Sequence, residues 1–275
     1  MEHAQENFVL NINNDESPII ITVPHGGMNN SYGSWLESLF QKRTKSDNPE
    51  ENIIQGEKIV LGGDNQIMHV VADVLREYQA NVIIGLLPRT FIDYNRFVPE
   101  VAYVDKGLKP FYESYHQTIS ETIERLKKKW GLVFLFDFHG FGKQPIEGKE
   151  FDIILGTNGE SSPYKTDRFF FNSLKNEYQI FCAGADGMSI IETNLYKGDT
   201  TNLFYYKKYG IDALLVEISS KFRSSKNTNS KELGKKLAKD LGLFFNRLDK
   251  KAKEIQMDIN GLSSSGSNLY LLKDF

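Results

Sequence analysis

This chain of 275 residues contains a single cysteine, Cys182. One thiol closes no disulfide within the chain, which excludes a disulfide framework and any zinc site built from cysteines. Cys182 follows Ile180-Phe181 and reads as a buried, inert thiol. Long apolar runs are missing too. No stretch approaches the ~20 residues that cross a bilayer, which argues against a membrane protein. Met1 to Asn7 is polar and carries no signal-peptide core, so a cytoplasmic location is expected. There is no excess of basic charge, since 33 Lys and Arg face 36 Asp and Glu for a formal charge of −3. That balance argues against a general nucleic-acid binder. No internal repeat and no shift in composition marks a boundary, so residues 1–275 read as a single domain.

Core material is plentiful: 40% of the residues are hydrophobic, with 19 Phe and 13 Tyr. Strand-like and helix-like segments alternate, which predicts an α/β fold with a mostly parallel sheet covered by helices. Strands are expected over 8–12, 18–23, 81–87, 132–136, 151–155, 179–183 and 211–218. Helices are expected over 65–78, 111–129, 163–176 and about 230–255. In the last helix Leu233, Leu237, Leu241, Phe244 and Leu248 form a core-facing stripe. Thr44 to Gln55 and Ser263 to Ser267 read as loops, and an edge strand over 268–272 could follow the second.

Three apolar runs finish in chemistry-bearing residues. Ile19 to Val23 leads into Pro24-His25-Gly26-Gly27, Leu132 to Phe136 into Asp137-Phe138-His139-Gly140, and Leu214-Leu215-Val216 into Glu217. Ligands of open α/β sheets bind beyond the carboxyl ends of such strands. The glycine after each histidine is expected to let the chain turn sharply and to leave space beside the ring. Two neutral imidazoles so placed suit zinc, which takes nitrogen and oxygen ligands and keeps a position open for water. His3, His69 and His116 fall in the tail or in helices and read as ordinary surface histidines.

The remaining candidates each carry a structural alternative. Asp64 follows Gly62-Gly63 at a helix start and is as much a cap as a ligand. Asp137 shares a strand face with His139 and is either a ligand or the carboxylate that orients that histidine. Glu217 in a buried strand is a general base or half of an ion pair, for example with Arg223. Arg89, Asn95 and Arg96 could grip a carboxylate, or the arginines could pair with Asp93 or Glu100. Lys197, in the polar Asn194-to-Thr200 loop, is a substrate contact or a solvated side chain.

In order along the chain, these segments resemble the N-formylglutamate amidohydrolase family. The blocks are Pro24-His25-Gly26-Gly27, Asp64, Arg89 with Asp93-Tyr94-Asn95-Arg96, Asp137-Phe138-His139, Asp152 to Thr157, Asn194 to Gly198, and Leu215-Val216-Glu217-Ile218. Departures fall at Gly140, where the family often has Ser, and around Leu195-Tyr196. The resemblance implies a three-layer, phosphorylase/hydrolase-like (zinc-peptidase-like) fold with a mixed sheet. It implies one Zn2+ per chain held by His25, Asp64 and His139, with Glu217 activating water. By similarity to zinc carboxypeptidases, Arg89 would serve the oxyanion, and Asn95 and Arg96, with Lys197, would bind substrate. The implied reaction is hydrolysis of a small N-acyl amino acid, foremost N-formyl-L-glutamate. The rivals are a zinc peptidase, a γ-glutamyl or cell-wall amide hydrolase, and a non-catalytic binding protein on the same fold.

Overall fold

The computed structural model describes residues 8–26, 53–54, 57–58, 67–89, 91–96, 102–142, 149–156, 189–193, 201–223 and 228–264. Its strands are β1 (Val9–Ile12), β2 (Ile19–Val23), β3 (Ile53–Ile54), β4 (Glu57–Lys58), β5 (Asn81–Gly85), β6 (Phe134–Phe141), β7 (Ile153–Gly156), β8 (Ile190–Thr193) and β9 (Asp212–Ser219). Its α-helices are α1 (Ile67–Glu77), α2 (Lys109–Trp130), α3 (Thr201–Tyr209) and α4 (Thr228–Ser264). A seven-stranded sheet runs in the order β1-β5-β2-β6-β9-β7-β8, and β3 and β4 pair separately. The four central strands β5, β2, β6 and β9 are mutually parallel, while β1 and β7 pair antiparallel at either side of them. The sheet is therefore mixed and mostly parallel, as the sequence predicts.

Side chains alternate across each strand, and this alternation builds two cores. On one face Ile19, Ile21, Val23, Phe134, Phe136, Phe138, Leu214, Val216 and Ile218 pack under α1 and α4. On the other Ile20, Ile83, Leu135 and Ala213 pack under α2 and Tyr205 of α3. The result is three layers. Helix α1 buries Ile67, Val70, Val71 and Val74, a 3.6-residue stripe of poor helix formers that burial holds helical. Helix α2 starts with Pro110 in its first turn and stops at Gly131, whose φ of 73° supplies the left-handed cap.

Several expectations are corrected. Strand β6 does not stop at Phe136 but continues to Phe141, so His139 and Gly140 lie inside it. Neither Gly26 nor Gly140 has a positive φ. Both are needed for close approach rather than for a turn: a Cβ on Gly140 would stand 2.4 Å from the Arg223 guanidinium, and one on Gly26 would stand 2.4 Å from Ile84. Strands β3, β4 and β8 and helix α3 are additions to the expected elements, and β3 falls within the segment 44–55 that the sequence reads as a loop, because its two isoleucines pair with β4. The α3 sequence is rich in aromatic residues and weak in helix propensity, and burial of Tyr205 against α2 decides its form. Helix α4 runs on to Ser264, past the expected end near Ile255 and into the serine run, since serine is only moderately disfavoured within a helix. The expected elements over 163–176, 179–183 and 268–272, most of the 44–55 loop, and Cys182 lie outside the described residues. Among the described residues no helix is long and apolar enough to cross a membrane.

Gly85 closes β5 where the chain turns toward the site. A Cβ there would meet the Tyr94 ring at 2.5 Å and the Pro24 carbonyl oxygen at 2.9 Å. Tyr94 is wholly buried and cannot retreat. Gly85→Ala is therefore expected to cost about 1–3 kcal/mol, the range of overpacked cores, read as a lower urea midpoint at unchanged slope.

Candidate active site

The parallel ladder brings the carboxyl ends of β5, β2, β6 and β9 to one edge of the sheet. His25 follows β2 directly. In the β6–β9 register His139 stands opposite Glu217, and Asp137 opposite Leu215. By strand alternation Asp137, His139 and Glu217 share the face that carries α2 and α3. The two histidine rings meet edge to face, with centroids 5.1 Å apart. Both are almost fully buried, whereas Glu217 is half-buried.

Each imidazole has its own carboxylate. His25 Nε2 lies 2.8 Å from Asp93 Oδ1, and His139 Nε2 lies 3.0 Å from Asp137 Oδ2. A carboxylate only accepts, so these partners assign the proton to Nε2 and the ring lone pair to Nδ1 in the neutral form. Carboxylate-anchored imidazoles are the donor chemistry of metal-binding histidines. The donor set thus fits two ligands of a zinc ion. Asp64, the third expected ligand, lies outside the described residues. Among the described residues no group of three His, Cys, Asp or Glu side chains is gathered as a metal cage.

Asp93 is the hub of the site's outer wall. Besides His25 it takes Arg89 Nε at 3.1 Å and Arg96 Nε at 3.2 Å on Oδ2, and the Asn95 backbone N–H on Oδ1. Burial works against its ionisation, but the His25 hydrogen bond and the Arg89 guanidinium outweigh it and hold the carboxyl well below the ordinary range. Both arginines keep part of their surface in solvent, 20% for Arg89 and 26% for Arg96. The Asn95 side-chain amide lies 3.5 Å from His139 Nε2, so the 93–96 turn reaches both histidines.

Asp137 is fully buried and stands behind His139, in the orienting position. Arg223 donates from Nε to the Ile218 carbonyl and from Nη2 to the Phe141 carbonyl. Its guanidinium packs on Gly140, which places it on the sheet face opposite His139. Lys197 lies outside the described residues. Two anchoring groups are added by the structure. In the sequence Asp93 is a motif position and an arginine partner; its place four residues after Arg89 and two before Asn95 is the signal that it is the turn's acid. Thr22 reads in the sequence as an ordinary strand residue, yet it donates to Asp137 Oδ1 at 2.6 Å.

His69 is exposed on α1, as expected, but His116 is half-buried, with its ring among tyrosines. Tyr112, Tyr115 and Tyr205 surround it, and its Nδ1 lies 2.9 Å from the Tyr205 hydroxyl. Burial lowers its pKa to about 4 from an ordinary 6.5. The unfolded chain therefore gains a proton below pH 6.5 that the folded protein refuses until about pH 4. Stability should fall across that window by up to about 3 kcal/mol, and His116→Gln should flatten the fall, as read by urea unfolding at stepped pH. Asp93 acts in a lower window. Its folded value is depressed, so its contribution is full above the ordinary 3.8 and is lost as pH drops below it. Asp93→Asn should remove that acid limb and cost about 3 kcal/mol at pH 7, since it leaves two guanidinium groups beside an uncharged amide.

Residues 99–222 match the family model of N-formylglutamate amidohydrolase, a span that holds Asp137, His139 and Glu217. The N-formylglutamate deformylase of Pseudomonas aeruginosa is 29% identical over 122 residues, 42% of this chain and 43% of that protein. That match spans less than half the length of its relative. In three dimensions the chain is similar to the N-formylglutamate amidohydrolase of Ralstonia eutropha JMP134, with a TM-score of 0.60 at 13% identity over 90% of this chain and 99% of that one. A solved Agrobacterium tumefaciens protein gives a TM-score of 0.58 at 13% identity over 92% and 98%. In sequence over residues 99–222 this chain is similar to the N-formylglutamate amidohydrolase family model, and over nine-tenths of its length it shares the fold of a solved protein of that name.

Proposed function

We propose that this chain is a zinc-dependent amidohydrolase, a single catalytic domain over residues 1–275, that cleaves a small N-acyl amino acid, foremost N-formyl-L-glutamate to glutamate and formate. One observation carries the reading: two buried histidines meet at the carboxyl ends of adjacent parallel strands, each anchored by its own carboxylate, with Glu217 in register beside one of them. The family match and the named relative support the choice of an amide substrate.

His25 and His139, through Nδ1, together with Asp64 would hold the ion. Bound zinc polarises the scissile carbonyl and lowers the pKa of a water molecule to about 7. Glu217 takes the proton of the attacking water and returns it to the departing amine nitrogen. The water oxygen bonds to the acyl carbon, the carbon–nitrogen bond breaks, and acid and amine leave. Arg89, held by Asp93, faces the charge that develops on the carbonyl oxygen. Asn95 and Arg96 grip the substrate carboxylate, and Lys197 adds to that contact. Asp137 and Asp93 keep the two imidazoles oriented throughout.

The deciding assay offers N-formyl-L-glutamate to the zinc-loaded protein and follows formate and free amine. Both should appear, vanish on chelation and return with zinc. Failure of the loaded protein to turn over any of a panel of N-acyl amino acids would sink the reading. Glu217→Gln should keep zinc and lose most turnover, because an amide accepts no proton; near-normal turnover would move the base elsewhere. Arg96→Ala should raise KM for the free acid by the equivalent of ~2–5 kcal/mol while barely changing an amidated substrate. Equal loss on both substrates would make Arg96 structural.

A further inference from the structure

The two histidine anchors differ in kind. Asp93 divides its charge among His25, Arg89 and Arg96. Among the described residues no lysine or arginine pairs with Asp137, which is held instead by the neutral His139 ring. Its Oδ2 holds His139 Nε2, and its Oδ1 accepts a 2.6 Å hydrogen bond from the hydroxyl of Thr22. Thr22 and Asp137 are wholly buried, and His139 is 3% exposed. The strands explain the contact: Thr22 of β2 and Asp137 of β6 are paired residues of one parallel ladder and share a face. Both flanking residues of Thr22, Ile21 and Val23, point into the opposite core, so the hydroxyl is the one side-chain polar group β2 sends to this face.

A buried carboxylate with one satisfied oxygen and one bare oxygen rotates or recruits another donor, because the bare atom keeps its full desolvation cost. Thr22 removes that freedom. With Oδ1 held from β2, Oδ2 is aimed along β6 at His139. Because the donor is neutral, the whole negative charge stays available to the imidazole, whereas the charge of Asp93 is shared with two guanidinium groups. Asp137 lies close enough to the wholly buried Tyr115 that its charge adds to the burial that pushes that phenol well above its ordinary value.

We propose that Thr22 is a positioning residue for the metal centre: its hydroxyl locks the Asp137 carboxylate so that His139 presents its Nδ1 lone pair as the stronger of the two histidine ligands. This rests on the zinc reading given above. Partners that stand behind a ligand in this way typically change metal affinity 10–100-fold when mutated, and Thr22, one bond further out, should act near the lower end, about tenfold.

Thr22→Val keeps the shape and the β-branched preference for a strand while removing the donor; Thr22→Ser keeps the donor and loses a methyl. Zinc affinity is measured by competition with a chromophoric chelator for the parent and both variants. In parallel, the 15N shifts of the imidazole rings are read in the metal-free proteins. The expected result is about tenfold weaker zinc binding in Thr22→Val, near-parent binding in Thr22→Ser, and a His139 ring that leaves the pure Nε2–H tautomer only in Thr22→Val. Unchanged zinc affinity in Thr22→Val, or equal weakening in both variants, overturns the proposal. A parent protein that binds no zinc overturns the metal reading instead. The ring spectra then still decide the role of Thr22, because an unchanged His139 tautomer in Thr22→Val shows that the hydroxyl does not position it.

Discussion

The parallel hydrogen-bonded ladder through β5, β2, β6 and β9 is the constraint on which the rest depends. Four strands running the same way deliver four carboxyl ends to one edge, and with them His25, His139, Glu217 and the 86–96 connection. The β6–β9 register sets His139 against Glu217 without help from any loop. A slip of one residue would turn every side chain on β9 to the other face, sending Glu217 under α4 and Val216 toward the histidines. The two apolar cores forbid that slip, since each accepts only one parity of residues along each strand. Packing far from the chemistry thus holds the chemistry in place.

Within this frame the polar groups are arranged in tiers. The histidines are held by carboxylates, and the carboxylates are held by a hydroxyl on one side and by guanidinium groups on the other. Buried charge is costly unless paired, and Asp93 and Asp137 meet that requirement in different ways. Asp93 lies on a turn at the sheet's edge, where the arginines reach it while staying partly in solvent. Asp137 lies inside a strand, where a hydroxyl from the next strand and the imidazole two residues on hold its two oxygens. The close packing of glycines serves the same arrangement: Gly85 lets Tyr94 seat the 91–96 turn, and Gly140 lets Arg223 tie the carbonyls of Ile218 and Phe141 across β6 and β9.

The match to the family model covers the second half of the candidate site, Asp137, His139 and Glu217, while His25 and the 89–96 turn lie before it. The geometry joins the two halves. Asn95 reaches toward His139, and the His25 ring stands against the His139 ring, so residues more than a hundred positions apart form one cluster. The solved structures that share the fold are 13% identical to this chain, and the cluster stands on its own distances.

By itself the sequence determined which residues are inside and which strands end in chemistry. The apolar runs before His25 and Glu217, and around Asp137, report burial directly, because an unbroken β-branched and aromatic run is stable only where both faces of a strand are covered. It also determined the layer class, since alternating strands and helices have few ways to hide their apolar faces. Only the tertiary structure decided the partners. That Arg89 and Arg96 converge on Asp93, that Thr22 serves Asp137, that Arg223 backs the sheet rather than facing the histidines, and that His116 is enclosed by tyrosines are all set by how the chain folds around these groups. The same holds for α3, whose local propensity is weak and whose form comes from the surface it covers. A hydrogen bond needs two atoms within about 3 Å, and the pattern of one strand records its faces but not which side chain the next strand sets beside it.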